Sequence, residues 1–293
     1  MRTIVIDNGS TDGTREMLAE EFGLENIFPD SPLSAPGLRP GLRCDAPSGL
    51  SVLLLEQNEG ITARNRFIQI IETDYLLSLD DDSWPRSEED VLRMVATMES
   101  GTRIAAVCAA CVHPDTGLAE TRGIERFASA GSAETGWDVV NIAAGGTLLR
   151  MEALRETRGY GEEFFWGREE NDLAFQLLQR DWRVVYDPRA VVWHTLSPAG
   201  RRQYERLRYV TRNSLWLLWK YFPLPFALPL AALYALRRLA AVVKDVRRLG
   251  PVLRGLAEGV GGMSARRGDP HARRFTLAQS RRLGGWFRKL LYE

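Results

Sequence analysis

Three adjacent carboxylates, Asp80-Asp81-Asp82, stand at the end of the apolar run Tyr75–Leu79. Neighbouring negative charges repel unless a cation or solvent relieves them, and open α/β sheets place ligands at the carboxyl ends of their strands. Aspartate oxygens are hard donors suited to Mg2+ or Mn2+. The triplet therefore reads as a metal site that would bridge phosphate oxygens, or as a polar turn. A second acidic cluster, Glu169-Glu170-Asn171-Asp172, opens a predicted helix. A carboxylate there can cap the helix or take a proton from an attacking hydroxyl as general base. Phe164, Phe165 and Trp166 precede it, as core or as a stacking wall for a sugar. His194 follows Ala190-Val191-Val192-Trp193 and by itself reads as a core or edge histidine, or as a ligand. Cys108 and Cys111 with His113 superficially suggest zinc, but two cysteines three apart on a strand face opposite ways, and no second CxxC exists.

The elements that must position these residues form an α/β pattern of short apolar runs alternating with helical ones. Strands are predicted at Thr3–Ile6, Ser51–Leu55, Tyr75–Leu79 and Ile104–Cys108, with further sheet elements at Asn141–Met151 and Trp182–Tyr186. Helices are predicted at about Thr14–Phe22, Ile61–Ile71, Glu88–Glu99 and Asn171–Arg180, and the Pro- and Gly-rich stretch 29–49 reads as a surface loop. After His194 the composition changes. Tyr204–Trp219 is aromatic and Arg-rich, and Tyr221–Leu236 is apolar but carries Pro223, Pro225 and Pro229. That run is shorter than the roughly 20 residues of a spanning helix. It leaves an interfacial or re-entrant element, or a helical hairpin packed on the main domain. The domain reading is 1–200 as the α/β domain and 201–293 as a basic helical region able to associate with membrane.

Composition excludes the extreme classes. With 293 residues, 45% hydrophobic and 26% charged, the chain is neither collagen, nor a coiled-coil rod, nor a disordered tail. Three cysteines make no disulfide framework, and the start lacks a basic-then-apolar leader, so a cytoplasmic setting is expected. The formal net charge of zero conceals a split: residues 1–200 hold 18 Lys+Arg against 33 Asp+Glu, and residues 201–293 hold 20 against 5. A basic tail of this kind suits a nucleic acid, an anionic membrane or plain solvation.

Five stretches converge on one family: IVIDNGSTDGT at 4–14, QNEGITARN at 57–65, LSLDDDSWP at 77–85, AAGGTLLR at 143–150 and REENDLAFQLLQRDWRVVYDPRAVVWH at 168–194. In order and spacing, over residues 1 to about 220, the chain resembles family 2 glycosyltransferases of the GT-A fold, the group with rhamnosyl- and galactofuranosyltransferase-like enzymes. The resemblance implies an inverting, metal-dependent enzyme that moves a sugar from a nucleotide sugar, UDP- or dTDP-linked, to an acceptor hydroxyl. It places Asp7, Asn8 and Ser10 at the nucleotide base and Arg64 near the nucleotide. Asp80 and Asp82 match the outer members of the DxD that holds ribose and metal, and His194 matches a histidine that ligates the metal in some members. Glu169-Glu170 occupies the family's Glu-Asp pair, whose second member is the general base. Glu170 is one methylene longer than the usual Asp, and Asp172 competes for the role. Gly145, Gly146 and Trp166 fall where acceptor or sugar would lie. Gln203-Tyr204-Glu205-Arg206-Leu207 lacks the Trp of the processive QxxRW motif, which favours single addition. The family also has a strand before the one at Thr3–Ile6, in mid-sheet. Met1 starts too late to supply it, which points to a start upstream or to a degenerate remnant.

Other classes fit less well. A haloacid-dehalogenase-type phosphatase would want Thr or Val where Trp84 stands and a lysine within the domain, yet the lysines are Lys220, Lys244 and Lys289. No GxGxxG opens a strand–helix unit for a nicotinamide dehydrogenase. An inactive transferase relative or membrane-surface scaffold is the non-enzymatic alternative, and nucleic acid is not among the expected partners. The expected setting is peripheral, at the inner face of the cell membrane, acting on a lipid-linked or envelope-glycan acceptor.

Overall fold

The computed structural model describes residues 3–22, 42–45, 50–68, 71–119, 128–143, 145–195, 203–270, 272–276, 279–280 and 283–292. The chain divides into two compact units, Met1–Ile70 and Ile71–Glu293.

The first unit contains β1 (Thr3–Asp7), α1 (Thr14–Phe22), β2 (Leu42–Asp45), β3 (Leu50–Leu54), a 3-10 turn at Gly60–Arg64 and α2 (Asn65–Ile68). Its strands run in the order β1-β3-β2, with β1 parallel and β2 antiparallel to β3. Leu42–Asp45 lies within the stretch read as loop. Four residues carry too little alternation to announce a strand between Pro- and Gly-rich flanks. The remainder of 29–49, apart from Leu50's neighbour strand, lies outside the described residues. Where a longer helix was predicted over Ile61–Ile71, the chain makes a 3-10 turn and one α-helical turn.

The second unit contains β4 (Tyr75–Leu79), β5 (Ser83–Pro85), α3 (Glu88–Glu99), β6 (Ile104–Val112), β7 (Ala130–Ser132), β8 (Gly136–Val139), β9 (Gly146–Arg150), α4 (Met151–Arg155), α5 (Glu169–Leu178) and β10 (Arg183–His194). There follow α6 (Gln203–Tyr221), α7 (Leu224–Val242), a 3-10 turn at Val246–Arg248, α8 (Leu249–Gly261), α9 (Met263–Arg267) and α10 (Gly284–Tyr292). The sheet runs β4-β9-β6-β10-β8-β7, and β5 pairs with the end of β10. β6 is the continuous apolar run IAAVCAACV, parallel to β10 and buried along nearly its whole length, as a strand covered on both faces must be. The Ser87 side chain accepts from Asp90 N, and three acidic residues fill the first turn of α3, a favourable N-terminus.

Helix α6 lies beyond the expected boundary at residue 200, yet it packs into the same core as α5. The Phe175 ring stands 5.2 Å from Tyr221 of α6 and 5.0 Å from Trp286 of α10, both edge-on. Edge-to-face pairs at this spacing are the favoured aromatic geometry.

Candidate active site

The β4 strand ends at Asp80, and a tight turn follows in which Ser83 N donates to the Asp80 carbonyl (3.2 Å) and Asp80 N donates to Ser83 Oγ (2.8 Å). The turn leads straight into β5, which pairs antiparallel with the end of β10, so that His194 stands opposite Ser83. Thr195 N donates to the Asp82 carbonyl at 2.9 Å and fixes the register. In consequence His194 Nε2 sits 2.9 Å from Asp82 Oδ1, although the two are more than a hundred residues apart. One ligand atom from each of Asp80, Asp82 and His194 lies within 4.8 Å of the others. Two carboxylate oxygens and an imidazole nitrogen, partly buried and converging, are a donor set that fits Mg2+ or Mn2+. Gly145 packs on the imidazole: a Cβ there would come 3.4 Å from His194 Nδ1. At Gly146 a Cβ would meet the Val192 side chain at 2.8 Å, so the glycine leaves that side chain its room.

The second acidic cluster occupies the first turn of α5. Glu170 is half-buried, whereas Glu169, Asn171 and Asp172 are buried. Asn171 Nδ2 donates to Asn141 Oδ1. That bond ties the first turn of α5 to the segment that carries Gly145 and hence to the His194 ring. The loop entering α5 is strained. Phe165 and Arg168 have φ of 55° and 76°, a left-handed conformation that costs non-glycine residues about 1–3 kcal/mol each. Helix α6 holds it: Asn213 Nδ2 reaches the carbonyl oxygens of Phe164, Trp166 and Gly167 at 2.9, 3.1 and 2.5 Å, and Arg168 Nε donates to Ser214 Oγ at 3.1 Å.

Asp172 is fully buried beneath this turn. Its Oδ1 accepts from Lys220 Nζ at 2.5 Å and from the Tyr221 hydroxyl at 2.7 Å, and its Oδ2 accepts from Gln176 Nε2 at 2.9 Å. Lys220 also meets Glu163 at 3.1 Å and Asp269 at 3.4 Å. Burial, and then the Asp172 carboxylate, push the Tyr221 phenol well above its usual range, so it stays a proton donor. Burial alone would raise the Glu163 carboxyl, but Lys220 and Arg158 outweigh it and bring it from 4.5 down to about 2. A carboxyl whose folded pKa is depressed adds stability above its unfolded value and loses it as the pH falls through the folded one. Stability should therefore decline between about pH 4.5 and about pH 2, and Glu163→Gln should flatten that decline. Thermal melts of both proteins across this window check it; parallel pH profiles would show that Glu163 contributes nothing.

In the first unit the predicted nucleotide residues also come together. Asp7 is buried at the end of β1, where its Oδ1 accepts from Ser10 N (3.2 Å) and its Oδ2 from Arg15 Nε (2.6 Å). Asn8 grips the 57–65 stretch, donating to the Gly60 carbonyl (2.9 Å) and accepting from Glu59 N (2.8 Å). Gly9 has φ +75°, and a Cβ on it would strike the Gln57 and Asn58 backbone at 2.6–2.7 Å. Arg64 ends the 3-10 turn that Asn8 holds.

The family model for Glycosyl transferase family 2 matches residues 1–158, more than half of the chain. The chain belongs to glycosyl transferase family 2. Among solved structures, the transferase is similar to the mannosyltransferase PcManGT from Pyrobaculum calidifontis in complex with GDP-Man and Mn2+. That likeness has a TM-score of 0.53 at 14% identity and covers 99% of this chain and 74% of the other. It is also similar to GalNAc-T7 with UDP, GalNAc and Mn2+, with a TM-score of 0.55 at 14% identity over 92% of this chain and 52% of the other. At these identities the likeness speaks for the fold, which is α/β and GT-A. No curated protein matches the chain.

Some residues that build this candidate site carried no signal in the sequence. Arg15 lies on α1 with Nε on Asp7 and Nη2 on the Leu55 carbonyl (2.6 Å), eight residues from the first and forty from the second. Asn141, Asn213 and Lys220 belong to no motif, and their partners lie 30 to 57 residues away in sequence. Trp166 is half-buried, its ring 6.4 Å from Tyr209 of α6, which makes it part of a small aromatic group.

Proposed function

We propose that the transferase uses a nucleoside diphosphate sugar and a divalent ion, and that it inverts the anomeric carbon as it glycosylates an acceptor hydroxyl. The observation that carries this reading is the convergence of Asp80, Asp82 and His194 at the carboxyl end of β4. Asp80, Asp82 and His194 would hold Mg2+ or Mn2+, which when bound offsets charge on a leaving diphosphate. Solved structures of similar fold support it, since two of them carry Mn2+ with a nucleotide or nucleotide sugar. The Asp7, Asn8, Ser10 and Arg64 group is assigned to the nucleotide, and UDP or dTDP is the nucleotide proposed.

Glu170 is assigned as general base. It takes the proton of the acceptor hydroxyl at a carboxylate oxygen while the hydroxyl oxygen bonds to the anomeric carbon and the bond to the diphosphate oxygen breaks on the opposite face. Asp172 is assigned a positioning role, since its oxygens are engaged by Lys220, Tyr221 and Gln176. Trp166, Gly145 and Gly146 line the acceptor and sugar side in this reading. The acceptor class proposed is a glycan or lipid-linked hydroxyl of the cell envelope, met at the cytoplasmic face of the membrane.

Asp82→Asn tests the assignment. It should weaken Mn2+ binding by more than the roughly 10–100-fold typical of losing an outer-shell partner, and weaken Mn2+-dependent UDP binding with it, while the thermal midpoint changes little. Isothermal titration of Mn2+ alone and then with UDP measures both. Unchanged Mn2+ affinity would remove Asp82 from the metal site.

A further inference from the structure

Helix α7 is aliphatic on its outer face as well as apolar on its inner one, unlike an ordinary surface helix. Its inner face, Ala227, Ala231, Tyr234, Arg238 and Val242, is buried, and it includes an arginine whose Nε donates to the Tyr234 hydroxyl at 2.8 Å. Its outer face carries Leu228, Leu233, Leu236 and Leu239, all exposed, with Leu236 at 65%. The exposure continues past the helix: Val243 is 89% and Val246 73% exposed. Contiguous exposed aliphatic residues of this kind mark an interaction surface.

We propose that the outer face of α7, with the corner through Val246 into α8, is a docking surface for an anionic lipid bilayer, lying at the boundary between headgroups and acyl chains. Charge selects this occupant. The segment 224–261 holds six Arg or Lys against two acidic residues, and Arg237, Lys244, Arg247, Arg248 and Arg254 are exposed beside the aliphatic ones. The two acids are already neutralised within the fold, Asp245 by Arg247 at 3.0 Å and Glu258 by Arg208 at 2.5 Å. An apolar face fringed by an excess of cations over acids is the pattern of interfacial helices that favour anionic lipid.

The same geometry decides between lying on the bilayer and crossing it. By length and composition α7 is long and apolar enough to cross a membrane. However, one side of it is committed to protein, with the Tyr234 hydroxyl 3.5 Å from the Val210 carbonyl of α6, and Pro229 interrupts its backbone hydrogen bonding. A helix clamped along one face can offer only the other to lipid. This deepens the transferase reading by assigning the membrane face within the basic region, and the two stand or fall separately, because metal and nucleotide binding need no vesicle.

The test uses the full chain and sedimented vesicles, either of phosphatidylcholine alone or of phosphatidylcholine with about a third phosphatidylglycerol. The wild type should bind the anionic vesicles at least tenfold more tightly than the neutral ones, and added salt should weaken that binding. The triple variant Leu236→Ser, Val243→Ser, Val246→Ser should lose binding at least tenfold while keeping its thermal midpoint and Mn2+ affinity. Equal binding by the triple variant would overturn the proposal. So would absence of wild-type binding, or a wild-type dimer in sedimentation velocity that the triple variant dissociates, which would make a second copy the occupant. Loss of Mn2+ and UDP binding in the wild type, with vesicle binding intact, would instead overturn the transferase chemistry alone.

Discussion

Glu170→Gln should keep metal and donor affinity and lose sugar transfer by a factor of roughly 10²–10⁴, the usual share of general base catalysis. The substitution preserves shape and removes only the capacity to accept a proton. Its site on the first turn of α5 is half-buried, so little stability should change with it. Asp172→Asn gives the contrasting result. Asp172 is fully buried and meets Lys220 at 2.5 Å, so that variant should lose thermal stability together with activity. Measured side by side, transfer rates, Mn2+ affinity and melting midpoints separate the roles. If Asp172→Asn alone abolishes transfer and leaves the melting midpoint unmoved, the base moves two residues along the helix.

Removing Lys220 should have the larger effect on stability. Its ammonium lies within 3.4 Å of carboxylate oxygens on Asp172, Glu163 and Asp269, with its own side chain wholly buried. Breaking a buried ion pair from one side leaves uncompensated charge and costs about 3–5 kcal/mol. Lys220→Met should therefore lower stability by that amount in denaturant unfolding. Adding Asp172→Leu should recover part of the loss, because a buried pair replaced by apolar groups is often near neutral. A Lys220→Met protein as stable as the wild type would mean that Arg158, 3.6 Å from Asp172, compensates alone.

Much of this architecture is legible in the residues, wherever local chemistry is strong enough. Helices at Thr14–Phe22 and Glu88–Glu99 and the strand at Tyr75–Leu79 end where capping residues and apolar runs say they should. Strands β7 and β8 are short and poor in apolar residues; β8 is held by pairing to β10 and β7 by pairing to β8, so nothing local announces them. The trio Asp80, Asp82 and His194 is half legible. The Asp pair stands in one motif, but that His194 reaches it depends on the antiparallel pairing of β5 with β10. Helix α6 falls in the aromatic, Arg-rich start of the stretch read as a basic helical region able to associate with membrane. In the structure Arg212 and Asn213 spend their donors on carbonyls of residues 163–167. Periodicity can show that a helix has two faces, but not which loop 46 residues upstream one of them grips.

Because α6 closes the core around Phe175 and also carries the donors that hold the loop before Glu170, this enzyme cannot be dissected at residue 200. A fragment cut there would keep the sequence motifs but lose the residues that hold the loop before Glu170, so its inactivity would say nothing about the surface of the basic region. Likewise, grafting the basic region of a relative onto this α/β core would exchange the donors that hold the loop before Glu170 along with the surface. Modular engineering would have to carry α5 and α6 as one cassette, and vary the exposed surface through the outward residues of α7.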